Sequence, residues 1–197
     1  WKQAMAKWQQ IEVMQVGPLT DNSSTLRNNI YSWPVTSTCG VDQDVMYFEQ
    51  GTINDKTYDI TARTSSRRGL DALEYLLFNT NTAHSCSSAK DILNAWTNKT
   101  DSERMLSRCN FSIEVASDLN NNAALLVDKW TGSNGYATTL KLAGQSNNKF
   151  ANAHDGINAI SDALFYIDKM AKDEKLGTPL GFFTNDCGGV GSVCPQN

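Results

Sequence analysis

Three carboxylates in this 197-residue chain fall where a helix should be burying apolar surface. On a helical wheel of about 100° per residue, Glu12 lies in the stripe of Trp1, Met5, Trp8 and Val16. Glu74 falls between Leu70 and Phe78, with Asp71 one turn back on the same side. The run Leu70–Phe78 is apolar almost all round, so a helix there is expected to be enclosed on most sides. A buried carboxylate without a partner is strongly unfavourable, and two chemistries supply one. Asp and Glu three apart on a helix point the same way, and a further carboxylate from a facing helix completes an oxygen-rich metal site of the kind iron-holding bundles use. Alternatively Arg67, four residues before Asp71 and seven before Glu74, shares their face and makes structural ion pairs. Spacing alone leaves both open.

The elements that must position these groups read as helices between polar loops. The first runs from Trp1 to about Val16 and is stopped by Gly17-Pro18. A looser helical stretch, about Ser24 to Phe48, is expected to break at Trp33-Pro34 and at Cys39-Gly40. Residues 49–64 read as a loop and about Ser66 to Phe78 as a helix. Asn79 to Ser88 is a polar loop, and Ala89 to Trp96 a short helix. Two long helices follow. The first carries Leu106, Ile113, Asn120 and Val127 at spacings of seven, beside Cys109, Ala116, Ala123 and Trp130. The second carries Phe150, Ile157, Leu164 and Ala171, interleaved with Ala153, Ile160 and Ile167. Such a/d seams predict two helices packed antiparallel across the Gly/Ser-rich connection 131–148. With the first helix and the Ser66–Phe78 helix they make an all-α, four-helix-bundle-type domain over residues 1–180 with extra short helices. Residues 181–197 read as an irregular tail.

Composition narrows the function. A net charge of -4 argues against a general nucleic-acid binder, and no apolar run approaches the roughly 20 residues needed to span a bilayer. Five cysteines form no C-x-x-C pair. Cys187 and Cys194 bracket a Gly-rich loop suited to a disulfide, and Cys86 with Cys109 is a second candidate pair, leaving Cys39 over. A disulfide framework implies an oxidising compartment. His84 and His154 read as surface or helix-flank residues.

The string Arg68-Gly69-Leu70-Asp71-Ala72-Leu73-Glu74-Tyr75-Leu76-Leu77-Phe78 resembles the signature of the imelysin family, Gly-x-His-x-x-Glu followed by a Leu-Leu-aromatic run. Trp1, Ala4, Trp8 and Glu12 before Gly17-Pro18 are similar to the family's opening helix. Ser32-Trp33-Pro34 resembles its Trp-Pro turn, and Leu176-Gly177-x-Pro179-Leu180-Gly181 resembles the segment closing its first half. The similarity spans nearly the whole chain. It implies an exported bacterial protein of iron uptake, periplasmic or associated with the outer surface. It also implies a two-bundle fold of which this chain is the first, with Cys194-Pro195-Gln196-Asn197 near the crossover and a partner for Cys39 in the second bundle. An iron-uptake membrane protein is an implied partner.

One departure bears on the chemistry: Asp71 stands where the family signature has histidine. A zinc peptidase needs a borderline-soft site with an open position and a general base, so the metallopeptidase alternative is weakened. An oxygen set of Glu12, Asp71 and Glu74, joined by Asp42 from its place in the family pattern, favours harder ions. Iron is the expected one, with calcium, magnesium or manganese next and zinc last. Arg67, Arg68 and Gly69 would line the site, an arginine balancing charge or anchoring an anion that accompanies the metal. The remaining alternative is a structural or interaction module whose carboxylates only form ion pairs.

Overall fold

The structure is a computed structural model that describes residues 1–87, 91–185 and 187–194. The predicted helix at Ala89 therefore begins, and the expected crossover at 195–197 falls, outside the described residues. The chain is all-α: α1 (Lys2–Glu12), α2 (Asp21–Ile30), α3 (Thr38–Gln50), α4 (Gly69–Phe78), α5 (Asn94–Thr97), α6 (Asp101–Thr131), α7 (Tyr136–Lys141), α8 (Ala153–Ser161) and α9 (Ala163–Tyr166). After α9 comes a π-helical stretch, Ile167–Gly177, whose wider turn shows in the bond from the Thr178 amide to the Asp173 carbonyl at 2.8 Å. Within 49–64, read as a loop, an antiparallel hairpin pairs Thr52–Ile53 with Lys56–Thr57. Its turn residues Asn54 and Asp55 both take positive φ, as a two-residue type I′ hairpin turn requires.

The chain divides into two compact units. The first comprises Trp1 and Asp21–Lys129, the second Lys2–Thr20 and Trp130–Asn197. The first unit's core joins Val41 and Val45 of α3, Ala72, Leu73 and Leu76 of α4, and Phe111 and Val115 of α6, with Trp96 beside them. The Phe48, Tyr58 and Phe111 rings meet edge-on or tilted, their centroids 5.5–6.1 Å apart. In the second unit Val16, Tyr136, Phe150 and Ala163 form a smaller cluster. There Gly17, at φ +53, lets the chain pass over Tyr136: a Cβ on it would stand 2.6 Å from the ring.

The structure corrects the heptad seams. Leu106, Ile113 and Val127 of α6 are exposed, as are Ile157, Ile160, Leu164 and Ile167. The face of α6 that is buried carries Arg108, Phe111, Ser112, Val115, Asp118, Asn122 and Leu126. Charge pairing decides the rotation, because Arg108 and Asp118 must reach partners in the interior, and the apolar side chains one position away turn to water. The predicted second long helix is α8, α9 and the π-helical stretch in succession. Cys39-Gly40 does not break a helix but lies in the first turn of α3, capped by the Ser37 hydroxyl, which accepts from the Gly40 amide at 3.2 Å.

The cysteines pair differently from the expectation for Cys39. Cys39 bonds Cys86, and Cys187 bonds Cys194 as expected; the remaining thiol is Cys109, exposed on α6. The pairing of Cys86 with Cys109 is therefore incorrect, and Cys39 has its partner within this chain. Two disulfides place the chain in an oxidising compartment. Among the described residues no helix is long and apolar enough to cross a membrane. A thiol reagent added to the native, unreduced protein should titrate one cysteine per chain, and Cys109→Ser should abolish that reaction; a second reactive thiol would contradict this pairing.

Candidate functional site

The signature segment enters α4 through Arg68 and Gly69, and both have physical reasons. Gly69 takes φ +79, and a Cβ on it would stand 2.6 Å from the Ile30 carbonyl oxygen and 2.8 Å from that of Asn29. Only glycine lets the start of α4 lie against the end of α2. Arg68 is buried, and its Nε donates to Asp118 at 2.8 Å while Nη2 also bonds that carboxylate. Its Nη1 donates to the carbonyls of Ile60 and Thr61 at 3.2 and 3.1 Å. Asn122, one turn on in α6, donates at 3.1 Å to the same Asp118 Oδ1 that Arg68 Nη2 bonds.

Within α4, Gly69–Leu73 and Leu76 are buried, but Leu77 and Phe78 are exposed, so the helix is less enclosed than its composition predicts. Asp71 is buried and accepts from the amide and the hydroxyl of Ser32 at 2.8 and 3.2 Å. That residue belongs to the Ser32-Trp33-Pro34 turn, in which the Trp33–Pro34 peptide is cis. Glu74 is half-buried, and among the described residues it has no hydrogen-bond or ion-pair partner. Burial, and then the nearby Asp71 carboxylate, push its carboxyl pKa up.

Asp42 is engaged elsewhere. Its Oδ1 accepts from Arg108 Nη2 at 3.0 Å, and its Oδ2 accepts from the Tyr75 hydroxyl and the Ser85 amide, each at 2.7 Å. Arg108 also donates to the Asn81 carbonyl at 2.7 Å, and its guanidinium faces the Tyr75 and Trp96 rings at 4.9 and 5.2 Å. Burial, then Asp42, push the Tyr75 phenol pKa up to about 12. Asp44, fully buried, is held by Arg63 at 2.8 Å and by Arg67 at 3.2 Å. The expected pairing of Arg67 with Asp71 or Glu74 is thus corrected. Arg67 ends a 3-10 turn, Ser65–Arg67, ahead of α4, so the one-turn spacing rule of a continuous helix does not apply to it.

Glu12 belongs to the second unit. Buried at the end of α1, it accepts from Lys175 Nζ at 2.6 and 2.7 Å and from the Tyr166 hydroxyl at 2.5 Å. It thereby ties α1 to the π-helical stretch. The structure brings Asp71 and Glu74 together and gives Asp42 and Glu12 separate cationic partners. Among the described residues no three His, Cys, Asp or Glu side chains come together in one cluster.

A family description, Imelysin, grouped among the peptidases, matches residues 1–191 of this chain. The chain belongs to the imelysin family. No curated protein and no solved structure matches it. In this imelysin Asp71 and Glu74 are two acids one turn apart on α4. The ion pairs Arg108–Asp42 and Arg68–Asp118 escaped the sequence reading. The signal for them was present: counted from Phe111, Val115 and Leu126, the 3.6-residue period places Arg108, Asp118 and Asn122 on the same arc of α6.

Two outcomes test this geometry. Arg108→Ala leaves Asp42 charged and unpaired in the core, and should destabilise the protein by about 3–5 kcal/mol in urea unfolding. For Glu74 the raised carboxyl pKa means that folding favours its protonated form. Its contribution is complete below the ordinary value of 4.5 and is lost as pH rises through the folded-state value. Glu74→Gln, which mimics the protonated acid, should therefore be more stable than the parent at pH 7 in metal-free buffer. Unfolding midpoints measured down the pH scale should converge below pH 4.5. A variant less stable at pH 7 would refute this assignment.

Proposed function

We propose that this imelysin binds iron as cargo on Asp71 and Glu74 of α4, within a bacterial iron-uptake system at the periplasm or outer surface. The observation that supports the reading is the state of Glu74. It is a half-buried carboxylate beside Asp71, with no cationic partner among the described residues and a pKa raised by both circumstances. A hard cation relieves that repulsion, and two carboxylate oxygens are the donors it prefers. Two protein ligands leave coordination positions open, which suits iron that arrives within a soluble chelate and keeps part of its chelator. Asp42 and Glu12, engaged by Arg108 and Lys175, are not among the ligands in this reading. The two disulfides agree with an exported protein. A second bundle of the same protein and a membrane uptake component are the partners this reading entails.

A second reading, a structural module whose carboxylates serve only the fold, is favoured by the closure of Asp42, Asp44 and Asp118 with arginines. Hydrolysis has less support, since Asp71 replaces the histidine on which a zinc peptidase of this signature relies. Calorimetric titration with a soluble Fe(III) chelate, then with Ca(II) and Zn(II), separates the readings. Iron should bind the parent, and Asp71→Ala and Glu74→Ala should each weaken it by about tenfold or more. Equal affinity in parent and variants would favour the structural module.

A further inference from the structure

The first unit holds a cleft of about 270 Å³ lined by Thr25, Asn28, Asn29, Thr61, Arg63, Ser65 and Arg68. Thr25, Asn28 and Asn29 recur at helical spacing on α2. The others come from the segment that leads into α4. Every residue that lines it is polar, and none is a carboxylate.

Charge and uncommitted donors together specify a ligand. Arg63 and Arg67 share the single carboxylate of Asp44, so that group carries one positive charge in excess. Arg68 is balanced by Asp118. Arg63 commits Nε and Nη2 to Asp44 at 2.8–3.1 Å. Among the described residues its Nη1 donates to nothing, leaving two N–H groups on a residue of the cleft wall. Asn28 is oriented by Arg27, which donates to its Oδ1 at 3.0 and 2.7 Å. Its Nδ2 keeps two donors without a partner among the described residues. The Ser65 hydroxyl is also uncommitted among them. A cation meets no acid in this wall, and a neutral sugar finds no aromatic ring there to stack on. Oxyanions use what is present: N–H and O–H donors around a guanidinium with net positive charge.

We propose that this cleft is a binding site for a small oxyanion, a carboxylate or phosphate group, held by Arg63, Asn28 and Ser65. The site is distinct from the acidic pair proposed for iron and does not depend on it, because it should fill in the absence of any metal.

The test is calorimetric titration of the full chain in resin-treated, metal-free buffer with citrate and, separately, with inorganic phosphate. Saturable one-to-one binding is expected, weakening as salt is raised. Preference for citrate would identify the source as a carboxylate chelator, and preference for phosphate a phosphorylated ligand. Arg63→Gln should weaken binding by about tenfold or more, but it also removes a partner from buried Asp44 and can unfold the chain. Asn28→Asp leaves Asp44 untouched and places a negative charge in the wall; it should weaken binding by a similar factor while the unfolding midpoint is retained. Failure of both anions to bind the parent, or an Asn28→Asp variant that binds them as the parent does, would overturn the proposal. Neither result bears on iron affinity, which is read in the Asp71 and Glu74 variants.

Discussion

The contact between Arg68 and Asp118 fixes two geometries at once. It pins the segment entering α4 to the middle of α6, and it sets which face of α6 turns inward. With Arg68 held by Asp118 and by the carbonyls of Ile60 and Thr61, the next residue must turn sharply at positive φ against the end of α2. From that turn α4 runs inward with Asp71 directed at Ser32. A charge pair this deeply buried is not an efficient source of stability, since desolvation offsets most of the Coulombic gain. Its effect is selective: an α6 rotated to bury Leu106 and Ile113 would strand Asp118 and Arg108 away from their partners.

The same logic recurs through the first unit. Asp42 with Arg108, Asp44 with Arg63 and Arg67, and Asp118 with Arg68 each join elements far apart in sequence. Each carboxylate receives several donors, which is the condition under which a buried ion pair is tolerated. Glu74 of α4 differs: half-buried, it has no hydrogen-bond or ion-pair partner among the described residues, and burial and Asp71 push its pKa up.

Element type was legible because helical periodicity and the stops at Gly17-Pro18 and Trp33-Pro34 are local signals. The seams were not, because a wheel that counts only apolar residues treats Arg108 and Asp118 as surface. On α6 their partners lie in α3 and before α4, information that no window along α6 contains. The signature string placed Asp71 and Glu74 on one helix face, and the structure agrees. Glu12 was rightly read as buried and in need of a partner, but Lys175 stands 163 residues away and supplies it. The Arg67 pairing failed for a local reason, the 3-10 turn that precedes α4 and changes the angle per residue. Cys187–Cys194 was legible from its Gly-rich loop; the partner of Cys86 was not, because Cys39 lies 47 residues before it and no local signal joins them.

The Cys39–Cys86 bond spans 47 residues, and within that span lie Asp42, Asp44, Arg63, Arg67, Arg68, Gly69, Asp71, Glu74 and Tyr75. One covalent link thus encloses the acidic pair and the α3 and α4 side of every buried ion pair in the first unit. Closing a loop of this length in the unfolded chain is worth about 4 kcal/mol in the chain-entropy picture, and all of it acts on this segment. Oxidation closes the loop that carries the acidic pair: in a reducing compartment the chain lacks this clasp, and in an oxidising one it has it.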